Sequence, residues 1–446
     1  MIRIQRMMAS AAAFVLMIGA MAALPSGARA QDEAASPVAP DTTKTEDTPA
    51  YQNTFAGEFT PARGYDIIKT SRGSLNISLY GLFRWVDQMP GDQTYKDHLG
   101  NTRVVKARND LNWHRSFVWL SGFFYDPRFM YTLSVWSLAT TQQSLVFGNL
   151  RYKFSDAVTM GAAIAPNLTA RSTQGSWPFW AATDRQMGEE FFRGGFSSGF
   201  YITGMPISRF YYNGSVNTNL SQLGVTASND TRDLATSLSL FWMPTTGEFG
   251  PRGGLADFEN HRTLATKFGI SACKSRESRY APNNQPPNAT QIRLSDGVYP
   301  FETGALADTV TVESLDYNYV SMDVGLKYHG LSFQGEAYYR MLSDFKATGP
   351  TPEGSIRDTG IMVEVMHMVV PKTLGIYLAG GYVNDQFRRY PGEISYGADF
   401  FPFKSRSWRL NLHVIHIDKS PTGSNFGFYT AGQTGTTVSL GTDFLL

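Results

Sequence analysis

Short segments in which apolar and polar side chains alternate recur from residue 74 to the end of this chain, and no other feature constrains its fold as strongly. A period of two sends successive side chains to opposite faces of a strand. Across residues 74–86, Ile77, Leu79, Phe83 and Trp85 fall on one face, with Asn76, Ser78, Tyr80 and Arg84 on the other. Val320, Met322, Val324, Leu326 and Tyr328 oppose Ser321, Asp323, Gly325 and Lys327. After His329-Gly330, the residues Leu331, Phe333, Gly335, Ala337 and Tyr339 resume the apolar face, while Ser332, Gln334, Glu336 and Arg340 resume the polar one. The hairpin therefore keeps its register across the turn. Trp408, Leu410, Leu412 and Val414 alternate with Arg409, Asn411 and His413 in the same way. One such strand suits a soluble sandwich equally well. A long series of them suits a membrane barrel, in which lipid takes one face and water the other. Past residue 74 no apolar run reaches the roughly 18 residues that a membrane helix needs, which excludes a helical bundle.

The spacing predicts sixteen strands, near 74–86, 112–124, 128–138, 144–154, 157–164, 198–204, 208–217, 233–243, 262–272, 317–328, 331–342, 358–369, 373–384, 392–401, 407–417 and 434–446. Short connections fall at Asp126-Pro127, Ser155-Asp156, Met205-Pro206, His329-Gly330, Pro371-Lys372 and residues 402–406. Long polar connections fall at 87–111, 165–197, 274–314, 343–357 and 418–433. Alternating short and long connections are the habit of an outer-membrane barrel with short periplasmic turns and long extracellular loops. Residues 244–261 break the pattern: either a strand pair is hidden there, or the segment folds inward or beneath the barrel. The last strand puts Val438, Leu440, Thr442, Phe444 and Leu446 on one face and ends flush with the chain, so that it closes against the first strand. Barrels inserted by the outer-membrane assembly machinery usually end in an aromatic residue; here the end is Leu446, with Phe444 two residues before it.

The N-terminus carries an export signal. Arg3 and Arg6, an apolar run at 11–24 and the small-x-small site Ala28-Arg29-Ala30 make residues 1–30 a signal peptide. Residues 31–57, rich in Pro, Thr, Ala and acid, read as a disordered periplasmic tether, which leaves 58–446 for the barrel. The 17% charged residues fall below the ~25% of soluble chains. With 39 basic against 38 acidic side chains, no basic field draws the chain to nucleic acid. Cys273 is the single cysteine, which excludes an internal disulfide and is read as an isolated loop thiol.

Four stretches, FFYDPRFMYTL (123–133), TDRQMGEEFFRGGF (183–196), MPTTGEFGPRGG (243–254) and FYTAGQTGTTVSLGTDF (428–444), resemble the phosphate-selective porin O and P family. The resemblance covers the chain from about Phe59 to its end. It implies a sixteen-stranded, trimeric, water-filled channel, with basic side chains lining the pore in the phosphate-selective members.

Polar parity along the strands assigns Arg84, Arg151, Lys153, Lys267, Lys327, Arg340 and Arg409 to the lumen, against Asp323, Glu336, Glu364, Asp399 and Asp443. That lining is mixed, so the acids partly neutralise any basic ladder. Residues 165–197 have no clean alternation, and such a long loop usually has a function. They are the candidate constriction. Arg171, Arg185 and Arg193 stand among Asp184, Glu189 and Glu190, with Trp177, Phe179, Trp180, Phe191 and Phe192 to anchor the loop on the wall. The alternative is an extracellular loop whose charges are solvated.

Enzymatic readings find little support. His413 and His416, three apart on a strand, point to opposite faces, and no HExxH, CxxC, GxSxG or Walker loop is present. His367, on the apolar parity near a turn, is the sole candidate partner for a lipid-side serine and reads better as an interfacial ring. The expectation is a passive-diffusion channel in the outer membrane of a Gram-negative bacterium, for small hydrophilic solutes or anions, without cofactor, metal or catalytic residue. A receptor or adhesin barrel acting through its outer loops, chiefly 274–314, is the alternative.

Overall fold

The alternating segments become strands because a backbone in lipid must pair every N–H and C=O internally, and a sheet does so only by closing on itself. A computed structural model describes residues 64–138, 143–166, 180–218, 233–247, 249, 256–279, 291–423 and 427–446. The signal peptide and tether expected over 1–57 lie outside them. The barrel strands are β1 (Gly73–Met89), β2 (Asn109–Phe124), β3 (Asp126–Leu138), β4 (Gln143–Lys153), β5 (Thr159–Pro166), β6 (Phe196–Ile207), β7 (Phe210–Thr218) and β8 (Leu234–Trp242). They continue with β9 (Ala265–Ser278), β10 (Val312–Tyr328), β11 (Leu331–Ala347), β12 (Ser355–Val370), β13 (Leu374–Asp385), β14 (Gly392–Phe400), β15 (Trp408–Asp418) and β16 (Gly435–Leu445).

Each strand pairs antiparallel with its neighbours in sequence, and β16 pairs with β1 from Thr436↔Met89 to Leu445↔Tyr80, closing a transmembrane ring of sixteen. The terminal residue takes part in the seam: Leu446 and Leu79 exchange backbone hydrogen bonds of 2.9 and 3.0 Å. A further short strand, Tyr65–Thr70, pairs with the start of β1.

Burial runs opposite to that of a soluble protein. Met322 is 59% and Leu440 51% exposed on the outer face, while inward Arg409 is 1% and Ser439 0% exposed. Aromatic side chains mark one edge of the outer belt, where Phe124 stacks on Tyr131 at 4.4 Å and Trp408 on Phe444 at 5.9 Å. His416 faces outward and bonds Thr436, whereas His413 is buried inside.

Several boundaries differ from the expectation. The connection at Asp126-Pro127 is Tyr125 alone, and β3 already begins at Asp126. Met205-Pro206 lies within β6; the turn is at 208–209, with Arg209 at φ 67°. The His329-Gly330 turn has φ 47° and 83°, a pair of left-handed values that suits a two-residue hairpin and that Gly330 adopts without strain. Strands β9 to β12 run several residues beyond their expected ends at the long-loop side, so the long connection expected at 343–357 shrinks to 348–354. The outer face there is polar and held by ion pairs: Arg276 reaches Asp316 at 2.8 Å and Asp344 at 2.7 Å. Apolar alternation stops before the hydrogen-bonded ladder does. For the same reason Cys273 is no loop thiol but a buried inward residue of β9, opposite Tyr319. Within 87–111 a small hairpin, Gln93–Lys96 with Thr102–Val105, stands apart from the barrel sheet. The described residues of 243–264 contain no strand; the segment buries Phe249, Ala256 and Asp257 instead.

Met322→Arg, on the outer belt, is expected to destabilise the folded barrel by ~2–4 kcal/mol, whereas Lys274→Met near its polar edge costs less than ~1 kcal/mol. Urea titration of vesicle-inserted protein, read by heat-dependent gel mobility, measures both.

Candidate solute pathway

The segment Trp180–Gly195, between β5 and β6, is buried throughout and lies against inward faces of distant strands. Irregular backbone inside a barrel leaves carbonyls and amides that need partners. Wall side chains supply them. Arg409 on β15 donates to the carbonyls of Trp180, Ala181 and Ala182 at 2.6, 3.2 and 3.3 Å. It also bonds Asp443 at 2.9 Å and lies 3.6 Å from Asp399. Asn411 donates to Ala181 O at 3.2 Å. Next along the segment, Asp184 bonds Arg115 on β2 and lies 3.6 Å from Arg84 on β1. Gln186 then donates to Glu364 on β12 at 2.7 Å.

A short helix, α1 (Met187–Phe192), carries the chain onward, with Glu189 and Glu190 in its first turn, where the helix dipole favours acids. Phe192 stacks on Tyr338 of β11 at 4.7 Å, and the Arg340 guanidinium lies 4.1 Å from the Phe191 ring while donating to Phe191 O at 3.3 Å. The Tyr317 hydroxyl on β10 donates to Phe192 O at 3.1 Å. The described segment is thus tied to β15, β1, β2, β12, β11 and β10, although it is strung between β5 and β6.

The side chains assigned to the lumen by parity, Arg84, Arg151, Lys153, Lys267, Asp323, Lys327, Glu336, Arg340 and Arg409, occupy inward positions, and they separate into groups. Arg84, Arg340 and Arg409 meet the in-folded segment. Lys267 pairs with Asp323 at 3.3 Å, and Lys327 lies 3.5 Å from Glu259, both near the short-turn end. Glu336 accepts from Tyr338 at 3.0 Å. Arg151 stands across Gly161 from Tyr201, and Lys153 is drawn to Asp156 in the adjoining turn at 2.6 Å. Of the residues expected at a constriction, Asp184, Arg185, Glu189, Glu190 and Arg193 are buried; Arg171 lies outside the described residues, as do Trp177 and Phe179. Arg193 pairs with Glu190 at 2.9 Å, and Arg185 covers the Trp180 ring at 4.5 Å.

Sequence reasoning missed Arg115 and His114. A β-bulge in β2 lets both turn inward, with Arg84 Nη2 3.2 Å from the His114 ring. The bulge shifts the parity of everything after it: Trp113 is outward, yet Phe117 and Trp119 are inward. That change of phase is the signal a rigid period of two passes over. The inward rings continue across β2 to β4, with Phe117 stacked on Trp119 and on Trp136 at 5.2 Å each and Trp136 stacked on Phe147 at 5.9 Å.

At the long-loop entrance, Asp296 joins two loops. Its carboxylate accepts from the His98 backbone N–H at 3.0 Å and lies 2.7 Å from the His98 ring nitrogen, and the ring stacks on Phe387 at 4.1 Å. Burial pushes the Asp296 carboxyl up, but the His98 hydrogen bonds and charge and the Val298 N–H outweigh it, leaving the group below the usual carboxylate range. Among the described residues, one cluster has ligand atoms close enough for a metal: Asp257, Glu259 and His261, within 4.8 Å of one another. All three already have protein partners, including the Gly330 N–H on Asp257 and Lys327 beside Glu259.

No family model and no curated protein matches the chain. Among solved structures, the chain is similar to outer-membrane expressed OmpT of Vibrio cholerae, with 11% identity and a TM-score of 0.50 over 85% of this chain and 99% of that one. It is also similar to an anion-selective porin from Comamonas acidovorans (12% identity, TM-score 0.46, 83% and 99% covered). A third is OmpF of Salmonella typhi in complex with daunomycin (11% identity, TM-score 0.46, 85% and 99% covered). At this identity the OmpT likeness concerns the fold.

Two outcomes follow from the geometry. Arg409→Gln removes one partner of a buried ion cluster, at a cost of ~3–5 kcal/mol, whereas Arg357→Gln, exposed on the outer face, stays within ~0.5 kcal/mol. The thermal midpoint of the gel-mobility shift reports both. Because the folded pKa of Asp296 is depressed, its stabilising effect is complete above the unfolded value of ~3.9 and is lost as pH falls through the lower folded value. Amide exchange of residues 291–311, corrected for intrinsic rate, is expected to stay slow at pH 5 and to quicken only in stronger acid; in Asp296→Asn it is fast at both.

Proposed function

We propose that this protein is an outer-membrane porin, exported by residues 1–30, through which small hydrophilic solutes and ions diffuse. What carries the reading is the inverted burial of a closed sixteen-stranded ring, with apolar side chains outward and charged ones inward. A barrel of that strand number encloses an interior wide enough for an aqueous path unless it is filled. Short turns face the periplasm in this reading, and the long connections face the exterior. The segment Trp180–Gly195 is the constriction, and solutes pass beside it.

The resemblance to the phosphate-selective porin O and P family adds anions, phosphate among them, as a solute class, and adds a homotrimer. The charges favour a weaker preference. Arg84, Arg115, Arg340 and Arg409 are committed to Asp184, Asp358, Asp443 and backbone carbonyls, so they hold the segment more than they attract solute. A dedicated anion filter needs several convergent cations whose hydrogen bonds replace hydration.

In planar bilayers under a salt gradient, the channel is expected to pass ions of both signs with a mild preference. A strong anion reversal potential with micromolar phosphate block contradicts the mixed lining. Arg193→Ala uncovers Glu190 and is expected to move the reversal potential toward cations, whereas Arg276→Ala, on the outer face and away from the path, leaves it unmoved.

A further inference from the structure

We infer that the described residues of the β8–β9 connection, 243–247, 249 and 256–264, form a second constriction at the short-turn mouth, set by Phe249 and Asp257; the inference rests on the channel reading above. Other connections at this end are brief, such as Tyr125, 208–209 and 329–330, whereas this one runs from Met243 to Leu264. A connection that merely joined two strands in water would be polar and exposed. This one sends Phe249 onto the inner wall, where it clusters with Tyr211, Phe241 and Ala265 of β7 to β9 and with Met243 at the start of the connection.

Its seat is Gly325 on β10. A Cβ there would lie 2.4 Å from the Phe249 ring, so only glycine leaves room. Lys327, the next inward residue along β10, holds its Nζ 5.0 Å from the ring centroid. The ring therefore occupies space inside the barrel and does not hang beneath the rim.

Further along, Asp257 pins the connection to the next turn. Its carboxylate accepts the Gly330 N–H at 2.8 Å and the His261 N–H at 2.9 Å, and the His329 N–H donates to His261 O at 2.9 Å. Phe258 reaches the β14–β15 turn, packing edge-on against Phe401 at 5.1 Å. The contacts thus form a chord from β8 and β9 past β10 and β11 to the β14–β15 turn. A solute leaving the constriction at Trp180–Gly195 has to pass in the remainder of the mouth. Along the chord both signs of charge are present, Glu259 beside Lys327 and Asp323 beside Lys267.

The test uses the mature full-length chain in planar bilayers, with neutral polyethylene glycols of graded size added to one side at a time. Phe249→Ala is expected to raise single-channel conductance roughly 1.5-fold or more, because two narrow segments act as resistances in series. It should also admit larger polymer from the short-turn side while the cut-off from the long-loop side stays unchanged. Phe249→Leu, which keeps most of the bulk, should resemble the wild type. Asp257→Asn loosens the chord and gives the same direction of change, which covers the case in which Phe249→Ala does not insert. If both variants show the folded gel mobility yet keep wild-type conductance and cut-offs, the connection is rim structure and the inference fails. If the wild type itself conducts nothing, the channel reading fails first and takes this inference with it. If conductance rises but the cut-off changes from the long-loop side, the second narrowing lies elsewhere.

Discussion

The need to pair every backbone N–H and C=O governs this molecule twice. In the wall it forces every strand to find partners on both sides, and β16 meets β1 down to the last residue, with Leu446 bonded to Leu79. In the interior it poses the opposite problem, since a segment outside the ladder brings unpaired carbonyls into a confined space. The wall answers with arginines. A guanidinium presents several donors in a fixed fork, so Arg409 can hold three successive carbonyls and a carboxylate together, which a lysine could not do.

This changes what the inward charges mean. Counted along the strands, they look like a ladder for passing ions. In three dimensions most are spoken for: Arg340 by Asp358 at 2.6 Å, Arg409 by Asp443 and Asp399, and Asp184 by two arginines. Their field at the path is that of compensated pairs, which falls off faster than the field of isolated charges. In the porin reading proposed above, selectivity depends on charges at the edge of the in-folded segments, such as the Glu190–Arg193 pair, and on the width left beside them.

Much of the wall was legible in the sequence, because lipid and water impose opposite demands on alternate residues. The count of sixteen, the His329-Gly330 hairpin and the outward run from Val438 to Leu446 follow from that demand alone. Legibility failed where the demand lapses. Beyond the lipid belt β9 to β12 keep their ladder but lose their apolar face, so their ends, and Cys273 with them, were misplaced. At His114 a bulge slipped the parity and concealed Arg115. The partners of the interior segments could not be read at all: nothing near Phe249 in sequence announces Gly325, and nothing near Trp180 announces Arg409.

The central claim is that the inner face of this sheet meets water and the outer face meets lipid. Neighbouring cysteines test it most directly, in a Cys273→Ser background: Ser215→Cys on the inner face of β7 and Val216→Cys on its outer face. With the protein in sealed bilayers, a charged thiol reagent that cannot enter lipid is predicted to label the cysteine at 215 rapidly and to leave the one at 216 unlabelled until detergent is added. Labelling at 216 but not at 215 would contradict the account.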